Sequence, residues 1–345
     1  MSVPAIERNG AAPPPPPAVA EPTMVEALRQ ALDEALAEDP RVLLLGEDIG
    51  RNGGVFRVTD GLQQRHGEQR VLDMPIAEAG TVGLAVGLCL AGYRPVVEIQ
   101  FDSFSYPAFE QIATHVARYR WRTNGAVAMS MVIRLPFGGG VRAPELHSDS
   151  PEALFCHLPG LRVVCPSTPA DAFALLRWAI ACEDPVIFME PKRLYRGTRM
   201  PLAGAEVELG ADAPGARIVR AGTDLTLASY GASVATCAAA AEALAAEGVA
   251  VELIDLRSLW PLDSRTVVAS VRRTHRCLIV HEAPQSCGVG AELAALVSEQ
   301  ALLDLDAPPL RVVGPDAPFP LFALEDDYLP SVDQVAAAAR RLVRF

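Results

Sequence analysis

Glu78 has the most unusual surroundings of any carboxylate in this chain. It stands in VLDMPIAEAGTVGLAVGLCLAGYRP, residues 71–95, and the next charge after it is Arg94. An acid in the first turn of a helix is favoured by the helix dipole and needs no further purpose. The same acid in dry surroundings would hold its proton more tightly and exchange it near neutral pH. The residues alone leave both readings open. His147, in GGGVRAPELHSDSPEALF, follows a triple glycine and precedes a Ser/Asp helix start. A lone histidine is more often structural than catalytic, yet a loop setting favours exposure and proton transfer.

Three glycine patterns need weighing beside them. Gly138–Gly140 offer backbone N–H groups to a phosphate, but no Lys-Ser/Thr follows as in a P-loop, and a flexible turn is the better reading. Gly288 and Gly290 in HEAPQSCGVGAELAALV imitate a dinucleotide fingerprint without its third glycine or its acid, so a tight strand-to-helix turn accounts for them. Gly83 and Gly87 let two helices approach closely, either inside the core or across an interface.

Alternating helices and short apolar strands must position these groups. Thr23, with Glu26 three residues on, reads as the N-cap of the amphipathic stretch MVEALRQALDEALAEDP. RVLLLGED, RPVVEIQF, SMVIRLP, LRVVCPS and DPVIFME read as buried strands, with helical patterns such as TPADAFALLRWAIACED between most of them. Periodicity lapses over PLAGAEVELGADAPGAR. A second unit follows in DLTLASYG, a helix over ATCAAAAEALAAEG, a strand over VAVELIDLRSL, a helix through Val271, CLIVHEA, GAELAALVSEQ and LRVVG. The pattern predicts an α/β fold: a mostly parallel sheet covered on both faces, followed by a smaller α/β domain. Glu47 and Asp48, Glu98 to Phe104, and the loop from Gly138 to His147 lie just after predicted strands, where open α/β sheets gather ligands.

Composition narrows the function classes. The 345 residues carry a net charge of -12, which argues against a nucleic-acid partner. Lys192 is the sole lysine, a bias consistent with a GC-rich genome. Seven cysteines form no C-x-x-C pair and no metal-ligand spacing, as expected of reduced, mostly buried thiols. The longest uncharged apolar run, Ala79 to Tyr93, is too short and Gly-rich for a membrane span. The N-terminal segment, with five consecutive prolines, lacks a signal-peptide core and reads as an extended tail. A cytoplasmic protein with no membrane contact is expected.

Taken in order, the motifs form a series: GEDIGRNGGVFRVTDGLQQRHGEQRVLDMPIAEAGTVGLAVGLCLAGYRPVVEIQF, PAFEQI, HSDSPEALFCHLPGLRVVCPSTPADA, DPVIFMEPKRLYRG, IDLRSLWPLD, HEA and PDAPFPLFALEDDYLP. This series resembles the beta subunit of thiamine-diphosphate-dependent 2-oxoacid dehydrogenases, from residue 23 to the C-terminus. IDLRSLWPLD, HEAP and HSDSPEALF are more similar to the branched-chain type than to the pyruvate type. The Pro-rich tail, expected to be disordered, then spans 1–22, and the resemblance implies a transketolase-like pyrimidine-binding domain over 23–200. A linker over 201–217 and a smaller transketolase C-terminal α/β domain over 218–345 would follow.

It further implies an α2β2 heterotetramer in which thiamine diphosphate lies between an alpha and a beta chain. The diphosphate and its magnesium are held by a G-D-G…N-N motif of the alpha subunit, and no G-D-G occurs here. No metal ligand is therefore expected from this chain. Glu78 matches the glutamate that exchanges a proton with the pyrimidine ring nitrogen, and Phe104 an aromatic residue packed on that ring. Ile76 and Gln100 match neighbouring cofactor contacts. His147 matches the histidine facing the substrate and the incoming lipoyl group, and the second domain matches the one on which relatives dock a lipoylated acyltransferase core. Two positions depart from the family pattern: Asp149, where relatives often carry Gln or Glu, and Cys182, where they often offer an acid near a potassium site. Pyruvate or acetoin dehydrogenase beta chains, an assembly scaffold and a self-sufficient transketolase-like enzyme are the alternative readings.

Overall fold

In the computed structural model of the chain, residues 19–203, 207 and 213–345 are described. Most of the expected Pro-rich tail and much of the expected linker lie outside the described residues. Thr23 and Glu26 form the capping box of the helix Met24–Glu38, with Thr23 N–H and Oγ donating to the Glu26 carboxylate at 2.8 and 2.9 Å. That pairing satisfies groups a helix start leaves open. Leu28, Leu32 and Leu36 then bury against the helix Pro169–Ala181.

The first sheet contains β1 (Val42–Gly46), β2 (Val71–Asp73), β3 (Arg94–Glu98), β4 (Val132–Phe137), β5 (Arg162–Val164) and β6 (Val186–Pro191). The second contains β7 (Arg217–Arg220), β8 (Leu225–Ser229), β9 (Val251–Asp255), β11 (Cys277–Pro284) and β12 (Leu310–Gly314), while β10 (Ser258–Trp260) returns to the first. The orders are β10-β5-β6-β4-β3-β1-β2 and β12-β11-β8-β9-β7. Among the described residues, only β10 on β5 and β7 on β9 pair antiparallel. β1, β4 and β6 are buried throughout, as strands covered on both faces must be.

One feature of the first sheet locates a site. The chain runs from β1 outward to β2, then returns across β1 to β3 through the helix Glu78–Leu90. The winding direction reverses between β1 and β3, so their carboxyl ends diverge into a crevice.

Two differences from the sequence reading have local causes. VAVELIDLRSL is not one strand: Arg257 takes a left-handed conformation at φ 54°, and the chain leaves β9 to join the other sheet as β10. The short edge strands β2 and β7 offer too few residues for alternation to show. Leu135, Phe137 and Phe155 of the first sheet's layers share one core with Tyr230, Ile279 and Val289 of the second's, so the two sheets are joined by apolar packing. No helix among the described residues is long and apolar enough to cross a membrane.

Candidate active site

Glu47 follows β1 and Gln100 lies just beyond β3, on opposite lips of the crevice. Gln100 Nε2 spans it, donating to the Glu47 carbonyl at 3.4 Å. Met74 N–H donates to Gly46 O at 2.9 Å, which draws the segment after β2 alongside β1 and delivers Ile76 and Glu78 to the same edge. Glu78 is the first residue of its helix, behind an Ala77 N-cap that supplies no side-chain bond. Its carboxyl is half-buried and has no hydrogen-bond partner among the described residues. Burial first, and the Glu78 charge next, push the Glu47 carboxyl above its ordinary value.

The helix itself corrects an expectation. Its composition reads as buried, but Leu84 and Leu90 are 44% and 47% exposed, Gly80 and Gly87 are open, and Ile76 before it is 86% exposed. Only its inner residues, including Val82, Ala85 and Cys89, reach the core. The dry surroundings imagined for Glu78 are thus not supplied by this chain alone.

His147 and Phe104 do come together. The His147 ring lies 5.1 Å from the Phe104 ring and 4.3 Å from Phe101, with Phe101 and Phe104 at 5.6 Å from each other. His147 Nδ1 is 2.8 Å from the Glu145 carbonyl, which can only accept, so Nδ1 carries a proton, and Nε2 makes no hydrogen bond among the described residues. Phe104 rides on a single 3-10 turn, Asp102–Ser105. Beneath it Lys192 Nζ donates to Asp102 Oδ1 at 3.1 Å and lies 5.6 Å from the Phe101 ring centre. Burial pushes Asp102 up to about 6 despite that ammonium, and burial lowers Lys192 in turn. The sole lysine therefore holds the turn that presents the aromatic pair, a role that the reading of its scarcity as a genome bias did not foresee.

The triple glycine is not a flexible turn. A Cβ at Gly138, where φ is +77°, would sit 2.2 Å from Glu282 Oε1, and one at Gly139 would sit 2.6 Å from Phe319 Cζ. Gly139 N–H donates to Glu282 Oε2 at 3.2 Å, so a carboxylate of the second sheet takes the place a phosphate would need. Burial pushes Glu282 up to about 7 while that N–H pulls it down. Gly138→Ala is expected to lower stability by about 1–3 kcal/mol, through a strained φ and a displaced Glu282. Thermal unfolding checks this, and a loss under about 0.5 kcal/mol, the range of an ordinary surface change, would overturn it. Asp149 closes the loop: its carbonyl accepts from Gly138 N–H at 2.9 Å, and its carboxylate accepts from Ser103 Oγ at 2.6 Å and Tyr106 OH at 3.2 Å.

Near Cys182 the groups that could ligate an ion are already committed. Arg94 Nη1 donates to the carbonyls of Ile180, Ala181 and Cys182 at 2.9, 3.3 and 3.1 Å. Asp184 pairs with Arg120 and Arg162, each at 2.6 Å.

Comparison with known proteins places this geometry in a family. Residues 20–198 match the pyrimidine-binding domain of transketolase, and residues 215–335 match the transketolase C-terminal domain. Over 324 residues the chain is 48% identical to the 3-methyl-2-oxobutanoate dehydrogenase subunit beta of Mycobacterium tuberculosis, covering 93% of this chain and 92% of the relative. It is 46% identical to the 2-oxoisovalerate dehydrogenase subunit beta of Pseudomonas aeruginosa, over 93% of this chain and 95% of the relative. With the pyruvate dehydrogenase E1 component subunit beta of Bacillus subtilis it shares 45%, over 95% of this chain and all of the relative. A split-gene transketolase solved as an inactive beta4 tetramer superposes with a TM-score of 0.76 at 25% identity, over 93% and 98% of the two chains. With two domain families spanning the sheets and relatives this similar over nearly full length, the chain belongs to the transketolase-fold beta subunits of the 2-oxoacid dehydrogenases.

Proposed function

We propose that this chain is the beta half of an enzyme that decarboxylates a branched-chain 2-oxoacid and passes the acyl group to a lipoyl carrier. The observation that carries the reading is Glu78, a carboxyl without a hydrogen-bond partner among the described residues at the β1/β3 reversal, beside an apolar helix face that those residues leave open. That arrangement suits a ring that another chain helps to enclose. The residues fit thiamine diphosphate: an acid for a ring nitrogen in Glu78, an aromatic face in Phe104, an apolar contact in Ile76 and an amide in Gln100. When bound, that cofactor supplies the nucleophilic carbon and the electron sink for loss of carbon dioxide.

Glu78 would exchange a proton with the pyrimidine ring nitrogen of the bound group. Gln100 and Ile76 hold the ring in register, and Phe104 packs on it. His147, with Nδ1–H bonded to the Glu145 carbonyl, would in its imidazolium form give the Nε2 proton to one dithiolane sulfur as the other sulfur bonds the acyl carbon and the S–S bond opens. We assign residues 23–200 to cofactor contact and 218–345 to assembly, with docking of a lipoylated acyltransferase there. An alpha chain in an α2β2 tetramer would cover Ile76, Leu84 and Leu90 and bring the diphosphate and magnesium. Cytoplasmic residence suits the seven cysteines, all free.

Branched-chain preference rests on IDLRSLWPLD, HEAP and HSDSPEALF, since identities of 48%, 46% and 45% do not separate the named substrates. The test is turnover of the copurified alpha–beta pair on 3-methyl-2-oxobutanoate and on pyruvate. Faster turnover of the branched acid is expected. Faster pyruvate turnover would move the assignment to the pyruvate type, and turnover by this chain alone would overturn the two-chain reading. Within that pair, His147→Ala is expected to cut lipoyl acylation by about 100-fold or more, the usual range for a positioned acid. Decarboxylation read with an artificial electron acceptor should fall much less. Equal losses in the two assays would remove His147 from the transfer step.

A further inference from the structure

We propose that Glu325, from the second domain, is the positioning residue that fixes the His147 loop for acyl transfer. The proposal rests on the reading of His147 given above. Glu325 is only 2% exposed, at the start of the short helix Glu325–Tyr328. Its Oε1 accepts from Gly140 N–H at 2.8 Å and its Oε2 from Arg142 N–H at 3.1 Å. The backbone turns to aim both donors at one carboxylate: φ is +93° at Gly140 and 52° at Arg142. Successive N–H groups in such a turn form a concave anion seat, and a charged acceptor bonds them more strongly than a neutral one. A Cβ at Gly140 would lie 2.6–2.7 Å from the Arg193 side chain, so the turn has no room to relax towards its own domain.

The guanidinium of Arg142 closes the same joint from outside, donating to Phe322 O at 3.0 Å and Asp326 Oδ2 at 2.7 Å. The far end of the loop is tied to the first domain, where Asp149 accepts from Ser103 and Tyr106. His147 lies between these two attachments, and its ring position against Phe101 and Phe104 is set by both. One attachment is a buried charge from a different sheet. Removing it leaves two N–H groups without an acceptor and frees residues 140–147 to shift. Displacements of about 1 Å near reacting atoms can cost on the order of 100-fold in rate.

The test uses the full chain assembled with its alpha partner. In Glu325→Ala, amide hydrogen exchange at Gly140 and Arg142 is expected to accelerate at least about tenfold, as for a locally opened segment. Lipoyl acylation is expected to fall about tenfold, with decarboxylation to an artificial acceptor changed less than about twofold. Glu325→Gln, which keeps one carbonyl acceptor, should fall between wild type and Ala and carries the test if the Ala variant does not assemble. Adding His147→Ala to Glu325→Ala should cost no more than His147→Ala alone. Unchanged exchange, equal losses in both assays, or multiplied losses in the double variant would overturn the proposal. Faster exchange with lipoyl acylation intact in Glu325→Ala and His147→Ala alike would keep the anchor and overturn the role of His147 instead.

Discussion

Glu78→Gln is expected to lower decarboxylation by the alpha–beta pair about 100- to 1000-fold, or roughly 2.7–4 kcal/mol of activation free energy. Glutamine matches the size of glutamate and can still form a hydrogen bond to a ring nitrogen. It cannot give up or recover a proton there. The loss should therefore fall on turnover, with assembly and cofactor retention little changed. Folding has little to lose, because the carboxyl is half-buried and has no partner among the described residues. Its one structural contribution is a favourable charge at the helix start, of about 0.3–1 kcal/mol. Turnover of both lipoyl-linked and artificial-acceptor reactions should collapse together, unlike the split expected for His147. Measured turnover within about threefold of wild type would remove Glu78 from proton exchange, since a positioned general acid contributes far more than that.

The parts of this molecule that the sequence displays are those governed by short-range rules. Thr23 and Glu26 announce a helix start because both capping partners lie within one turn. β1, β3, β4 and β6 announce themselves because burial on both faces demands continuous apolar runs. Glu78, Phe104 and His147 were reached through the order of motifs. What stayed hidden depends on partners far apart in the chain. Nothing in GGG shows that Glu282 and Phe319 occupy the places its side chains would need, so the segment reads as flexible when it is clasped. Lys192 meets Asp102 from 90 residues away, and Glu325 meets Gly140 from 185 away. The open face of the Glu78–Leu90 helix is hidden for another reason: apolar composition signals burial without saying by which chain.

The same long-range logic makes Arg134→Leu the substitution expected to cost the most stability, about 3–5 kcal/mol at neutral pH. Arg134 is 1% exposed on β4, with Nη1 donating to Glu98 Oε2 at 2.6 Å on β3. Its Nε and Nη2 donate to the two oxygens of Glu190 on β6 at 2.6 and 2.9 Å, and Tyr195 OH donates to Glu190 at 2.5 Å. Leucine would fill much of the space but leave two buried carboxylates facing each other without a cation. Even with Arg134 present, burial raises the Glu98 carboxyl above its ordinary value. Without the guanidinium it should rise further. A carboxyl raised in the folded state binds protons that the unfolded chain has released, so its stabilising contribution is lost as pH climbs from the unfolded value through the folded one. The deficit of the variant should accordingly be smaller near pH 5 than near pH 7.5, because a neutral carboxyl costs less to bury. Urea unfolding at the two pH values checks both the size and the direction. Replacing Glu98 and Glu190 by glutamine in the same chain should restore part of the loss, since an uncharged cluster no longer needs the cation. A deficit under about 1 kcal/mol, or one that does not grow with pH, would show that the clamp is solvated or replaceable. The clamp also bears on the site: Glu98, the last residue of β3, lies opposite Gly46, the last of β1, and from there the chains run out towards Gln100 and Glu47. Loosening Glu98 should therefore widen the crevice that Gln100 spans, and activity is expected to decline at temperatures below the unfolding transition of the variant.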